Sequence, residues 1–249
     1  MVRGLIGAAL VVVLGASVSA PAAAGDQTSL VLLAASNTRK PISDLIASYQ
    51  ASHPGIAISP TYVGSKTAMK EVAVGVQVDV VVVSDSSANG STGIEKPAEI
   101  FRNRIGIMVS PGGASKIHDA RDLAKSGVTL VCGTSDSIAA GYAASALKAL
   151  SYGPAFDKAY ATNCATTKTD DEQIVAALHG YDAALVFETD ASMPGAGTIL
   201  HLPVTVTVNY IAASVKASTH SRDAKDFAAF LAGPEAAAVY RKYGHEVAK

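Results

Sequence analysis

Val78-Asp79-Val80-Val81-Val82-Val83-Ser84 is an almost unbroken apolar run with a single carboxylate near its start. A strand with one wet face alternates apolar and polar residues. A continuous β-branched run of this length marks a strand covered on both faces. Such strands belong to parallel sheets sandwiched between helices. The chain before it agrees. Ser29 to Ala34 reads as a strand, and Ile42, Leu45, Ile46 and Tyr49 then recur at helical spacing behind Pro41, which suits a first helical turn. Ile56 to Ser59 reads as a second strand, and Met69, Val72, Ala73 and Val76 stripe a second helix.

Beyond Phe101 the pattern restarts. Ile105 to Ser110 reads as a strand, Asp119 opens a short helix through Leu123, and Val128 to Cys132 reads as a strand. Helices follow over Ala139–Leu150 and Thr169–Leu178, with a strand at Ala183–Phe187. Val204 to Ser214 is long and β-rich. Two helices close the chain, Ala224–Leu231 and Glu235–Tyr243, broken by Gly233-Pro234, and Gly244 stands where a helix C′ glycine belongs. The fold class is α/β. No internal repeat and no floppy linker is visible, so two units must be joined by extended strands. Crossings near residues 105 and 208 divide the chain into a first lobe of residues 25–104 plus 209–249 and a second lobe of residues 105–208.

The 249 residues are 49% hydrophobic and 16% charged, with formal net charge −1, which allows one large core or two modest ones. No basic stripe or run occurs, which argues against a nucleic-acid partner. Residues 1–24 read as an export leader. Arg3 gives the positive start, Leu5 to Leu14 the apolar core, and Ala22-Ala23-Ala24 a small-residue cleavage site. That core is shorter than the roughly 20 residues a spanning helix needs, although an uncleaved anchor is the alternative. The first cysteine is Cys132, so no lipid-attachment cysteine follows the leader. In an exported chain the pair Cys132 and Cys164 suggests a disulfide, worth roughly 3–4 kcal/mol for a loop of about 30 residues. Two buried free thiols are the alternative.

Three polar turns follow strands and precede helices: Ala35-Ser36-Asn37-Thr38, Gly64-Ser65-Lys66-Thr67 and Gly133-Thr134-Ser135-Asp136-Ser137. In open α/β sheets ligands bind beyond the carboxyl ends of the strands. A helix N-terminus there offers free N–H groups and about half a positive charge, which suits an anion. The same residues also serve as ordinary helix caps.

Ala34-Ala35-Ser36, Gly64-Ser65-Lys66-Thr67, Val78-Asp79-Val80 leading to Ser84-Asp85, and the ending Phe230-Leu231-Ala232-Gly233-Pro234-Glu235-Ala236 with Tyr243-Gly244 resemble the periplasmic molybdate-binding protein family. The resemblance runs over nearly the whole chain after the leader. It implies a type II periplasmic-binding fold, with two α/β lobes, a ligand cleft and two hinge crossings. It also implies an oxyanion such as molybdate or tungstate as ligand, no cofactor, and delivery to the membrane permease of an ABC importer by a monomer. The family's ligand serines fall on Ser36 and Ser65, its second-lobe backbone donors near Ala140 and Glu172, and its ligand tyrosine on Phe187. Phe187 lacks the hydroxyl. Lys66 stands where the family has a small hydroxyl residue, and Arg39 follows the first turn; either could bring positive charge to the cleft. Thr169-Asp170-Asp171-Glu172 also reads as a capping box, which gives Glu172 a structural role of its own.

Rival classes find less support. No G-x-S-x-G surrounds any serine, and the six histidines are scattered, so an enzyme is disfavoured. No H-E-x-x-H or Cys/His ligand spacing occurs, and a hard-cation site from Asp79, Asp85 and Asp190 competes with plain readings of those residues as strand-end caps. Sulfate, phosphate, an organic carboxylate or an amino acid remain open as ligands.

Overall fold

The computed structural model describes residues 27–247. The proposed leader lies outside these residues. In chain order the elements are β1 (Thr28–Ala35), α1 (Arg39–Ser52), β2 (Ile56–Val63), α2 (Ser65–Ala73), β3 (Val80–Ser84), α3 (Asp85–Ala88), β4 (Ala98–Val109), β5 (Leu130–Gly133), α4 (Ile138–Leu150), α5 (Pro154–Asn163), β6 (Cys164–Lys168), α6 (Asp171–Ala177), β7 (Ala183–Phe187), β8 (Thr198–His201), β9 (Thr207–Ser214), α7 (Ser221–Leu231), α8 (Pro234–Lys242) and β10 (Glu246–Val247). The strands form one sheet path, β2-β1-β3-β9-β4-β7-β5-β6, with β8 and β10 both added to β4.

Every residue of β3 is buried. Val80 and Val82 pack with α1 and α7 residues such as Ile42, Leu45, Phe227 and Leu231, while Val81 and Val83 pack with Ala68, Met69 and Val72 of α2. Both faces are therefore dry, which is why the run carries no polar alternation. β7 repeats the arrangement, with Ala183, Leu185 and Phe187 on one face and Ala184 and Val186 on the other.

The halves repeat each other in a way the sequence hides. β1 pairs in parallel with β2 and β3, and β5 pairs in parallel with β6 and β7. Each half also carries an aspartate just before its central strand. Asp79 N–H donates to Val31 O (2.9 Å), and its carboxylate accepts from Val31 N–H (2.7 Å) and the Ser218 hydroxyl (2.6 Å). Asp182 N–H donates to Thr129 O (2.8 Å), and its carboxylate accepts from Thr129 N–H (2.8 Å) and Lys116 Nζ (2.9 Å). The carboxylate thus replaces a main-chain acceptor where the parallel ladder begins.

β4 is twice the expected strand. Ala98 to Arg104 pair with β9, and Ile105 to Val109 with β7 and β8, so the chain changes partners in mid-strand. Among the elements not expected are α5 and the edge strand β6, whose Cys164 is disulfide-bonded to Cys132 on β5.

Candidate ligand cleft

The carboxyl ends of β1, β2, β5 and β7 meet at a cavity of about 240 Å³. Its walls are Ser36 after β1, Gly64, Ser65 and Thr67 at the start of α2, Ser137 and Ile138 at the start of α4, Asp170 to Glu172 at the start of α6, Phe187, and Tyr210 of β9. Taking about 30 Å³ per water, the space holds roughly eight waters, enough for a small polyatomic ligand.

Two helices of full length aim their N-termini here. α2 has no side-chain cap, and its first main-chain bond is Ala68 N–H to Gly64 O (3.0 Å), which leaves the N–H groups of Ser65, Lys66 and Thr67 without intrahelical acceptors. α4 is capped by Ser137, whose Oγ accepts from Ala140 N–H at 3.2 Å. Gly133 admits that first turn: a Cβ there would stand 2.6 Å from Ala140 Cβ and 2.9 Å from Ser137 Oγ.

Each expected site residue has a definite place. Ser36 and Ser65 both line the cavity and are buried. Ser65 Oγ accepts from Ser84 N–H at 3.1 Å, so its own hydroxyl proton is left to donate elsewhere. Phe187 forms part of the wall, its ring edge against Tyr210 at 6.1 Å. Lys66 turns away: its amine donates to Ser135 O (2.6 Å) across the cleft, and it borders a neighbouring cavity of about 320 Å³. Ala140 is not a free donor, because its N–H is spent on the Ser137 cap; Ile138 and Ala139 hold the unbonded positions of α4. Glu172 lines the wall, but its carboxylate is engaged by Arg39 through Nε (2.7 Å) and Nη2 (3.3 Å). The hydrogen bond to Glu172 raises the Arg39 pKa above its ordinary value.

The expected capping box on α6 does not form. Asp170, not Thr169, is the cap, accepting from Gln173 N–H at 2.9 Å, which frees Glu172 to reach Arg39. Asp79, Asp85 and Asp190 do not assemble into a cation site: Asp79 is bound to Val31 and Ser218, Asp85 to Asn209 and Tyr142, and Asp190 to Phe187 N–H. Among the described residues no group of three or more candidate metal ligands occurs.

Tyr210 at the floor was not anticipated, and Asp171 and Asp190 were weighed for other roles. The Tyr210 hydroxyl accepts from Asn37 Nδ2 at 2.7 Å and keeps its own proton to give, which offsets the hydroxyl that Phe187 lacks. Asp171 is 7% exposed, and burial, followed by the charges of Asp170 and Glu172, pushes it up to about 7. Asp190 behind it is 1% exposed, and burial and Asp171 hold it well above the carboxylate range. In sequence, Tyr210 lies in a long β-rich run, and Asp171 reads as a first-turn residue that suits the helix dipole but would repel an anion if it faced the cleft. Among the described residues no lysine, arginine or histidine belongs to the wall.

Further hydrogen bonds lie around the cavity. Lys40 Nζ donates to Ser192 O, and Tyr142 Oη to Asp85 Oδ1 (3.3 Å). A second cavity of about 420 Å³ lies beyond the Arg39–Glu172 pair, sharing Ser36 and Glu172 with the first and walled by Pro41, Val175, Met193 and Pro194.

A polar cavity at the strand ends of an α/β sheet fits the capture of a small ligand. The model of the bacterial extracellular solute-binding protein family matches residues 30–246, and the chain belongs to that family. It is therefore a binding protein rather than an enzyme. A Bacillus subtilis (strain 168) protein named as an ABC transporter substrate-binding lipoprotein, YvgL, is 25% identical over 234 residues, 88% of this chain and 86% of that one. Among solved structures, the periplasmic molybdate-binding protein of Azotobacter vinelandii superposes with TM-score 0.74 at 15% identity, over 88% of this chain and all of that one. The sulfate-binding protein SubI of Mycobacterium tuberculosis superposes with TM-score 0.70 at 20% identity, over 90% and 88%. These likenesses are of fold.

Proposed function

We propose that the protein is the extracytoplasmic binding subunit of an ABC importer, exported by the leader in residues 1–24, and that it carries a small oxyanion as a monomer to a membrane permease. Residues 25–104 with 209–249 would move as one lobe and 105–208 as the other, bending where β4 changes partners between Arg104 and Ile105. The observation that carries the reading is the convergence of the α2 and α4 N-termini on one cavity that also holds the Ser36, Ser65 and Tyr210 hydroxyls. Fixed N–H and O–H dipoles in a water-poor site bind an anion without a counter-charge. Ligand contacts made by both lobes favour the closed arrangement over the open one. The resemblance to molybdate-binding proteins supports a molybdate- or tungstate-like ligand, and the likeness to SubI supports sulfate as a member of the same class.

Calorimetric titration of the purified protein with molybdate, tungstate, sulfate, phosphate and small carboxylates tests the reading. Saturable binding of an oxyanion at one site per chain, weakened in Ser65→Ala, is expected. Binding by none of them, or equal binding in Ser65→Ala, overturns it.

A further inference from the structure

Resting on the oxyanion reading, we propose that the cleft takes its ligand together with one proton held between Asp171 and a ligand oxygen or nitrogen. The ligand class is then an oxyanion that brings its own hydrogen-bond donor, such as hydrogen phosphate or an ammonium-bearing acid. Fully ionised tetrahedral dianions such as sulfate and molybdate then enter only with a proton taken up from solvent.

Asp171 is more than nine-tenths buried, lines the cavity, and among the described residues receives no hydrogen bond from the protein. The charged groups around it are acidic or already engaged, and the hydroxyls of the wall are neutral. On its own element, Asp170 is spent on Gln173 N–H and Glu172 on Arg39. From the turn after β7 comes Asp190, whose Oδ1 has no partner. From β9 comes Tyr210, bonded to Asn37, and from the turn before α4 comes Asp136 on the same wall. The cations near the cleft are occupied, Arg39 by Glu172, Lys66 by the Ser135 carbonyl and Lys40 by the Ser192 carbonyl. Among the described residues no cation pairs with Asp171, and it faces the cavity that the ligand would occupy.

A carboxylate and a fully deprotonated oxyanion are both pure acceptors and repel at contact. A proton between them turns that repulsion into a charge-assisted hydrogen bond. Hydrogen phosphate supplies the proton as P–O–H, and an amino acid as N–H. Sulfate and molybdate carry none at neutral pH and must take one from solvent, held on Asp171. The raised pKa of Asp171, about 7, fits a group poised to hold that proton.

Titration calorimetry in two buffers of different ionisation enthalpy counts the protons. At pH 8 the wild-type protein is expected to bind phosphate or glycine with near-zero proton uptake, and sulfate or molybdate at least tenfold more weakly with uptake approaching one. Phosphate against glycine distinguishes an O–H from an N–H donor. Asp171→Asn, whose amide can donate, should abolish the uptake and shift the sulfate-to-phosphate preference tenfold or more toward sulfate. Tight sulfate or molybdate binding at pH 8 with no proton uptake overturns the inference and leaves the oxyanion reading standing. Binding of no anion by the wild-type protein removes both. The proton count is made on wild type, so the test survives a poorly folding variant.

Discussion

Ser65→Ala breaks two different bonds and should leave two separate signatures. Ser65 Oγ accepts from Ser84 N–H at 3.1 Å, and Ser84 is fully buried. Removing the acceptor strands that amide, at a cost of about 1–3 kcal/mol. For a chain of this size each kcal/mol moves Tm by about 2–4 °C, so ligand-free Tm should fall by roughly 2–12 °C. The lost hydroxyl donor to a charged ligand is worth about 1.5–3 kcal/mol, or roughly 10- to 150-fold in Kd. Scanning calorimetry without ligand reads the first effect and titration with the best oxyanion reads the second. An unchanged Tm would refute the Ser65–Ser84 bond. An unchanged Kd would refute the ligand role of Ser65, whatever happened to Tm.

Asp79→Ala leaves Val31 N–H and the Ser218 hydroxyl unpaired and should cost about 2–6 kcal/mol, read as a lower denaturant midpoint. His245 lies buried against Phe101, ring centroids 4.1 Å apart, with neither ring nitrogen bonded, and burial lowers its pKa to about 4. The unfolded chain takes up a proton at this residue below about 6.5 while the fold does not. Stability should therefore fall by up to about 3 kcal/mol as pH drops from about 6.5 to about 4, and His245→Phe should remove that slope. Asp171 acts oppositely: its folded pKa of about 7 exceeds the unfolded value near 3.9, so its ionisation penalises the fold as pH rises between them. Asp171→Asn should make ligand-free stability rise more steeply with pH in that window. The Arg39–Glu172 pair is about half exposed, so Glu172→Gln should change closed-state stability by no more than about 1 kcal/mol, read as less than a fivefold rise in ligand release rate.

What was legible in the sequence was whatever burial writes into it. The Val80–Ser84 and Ala183–Phe187 strands are dry on both faces and read directly as apolar runs. The first half of β4 escaped notice because Glu99 and Arg102 interrupt the run on its exposed side, while Ile100 and Phe101 are buried. β6, a half-exposed edge strand reading Cys-Ala-Thr-Thr-Lys, carries no periodic signal at all. Ser36, Ser65 and Ser137 of the polar turns line one cavity, and their turns were legible because strand ends and helix starts can be read locally. The partners of Lys66, Glu172 and Ala140 could not be, since each is set by a hydrogen bond that only tertiary structure or a one-residue shift of a cap decides. Tyr210 reaches the cleft from a strand far along the chain, a placement fixed by the pairing of β9 with β3 and β4.

The most direct test of the account is a crystal structure of the protein grown with the tightest oxyanion from the titration panel. The account predicts the anion in the cavity between α2 and α4, within hydrogen-bond distance of Ser36, Ser65, Tyr210 and the first N–H groups of both helices, with one of its donors on Asp171. An anion seated elsewhere, such as the larger cavity beyond Arg39 and Glu172, would contradict it.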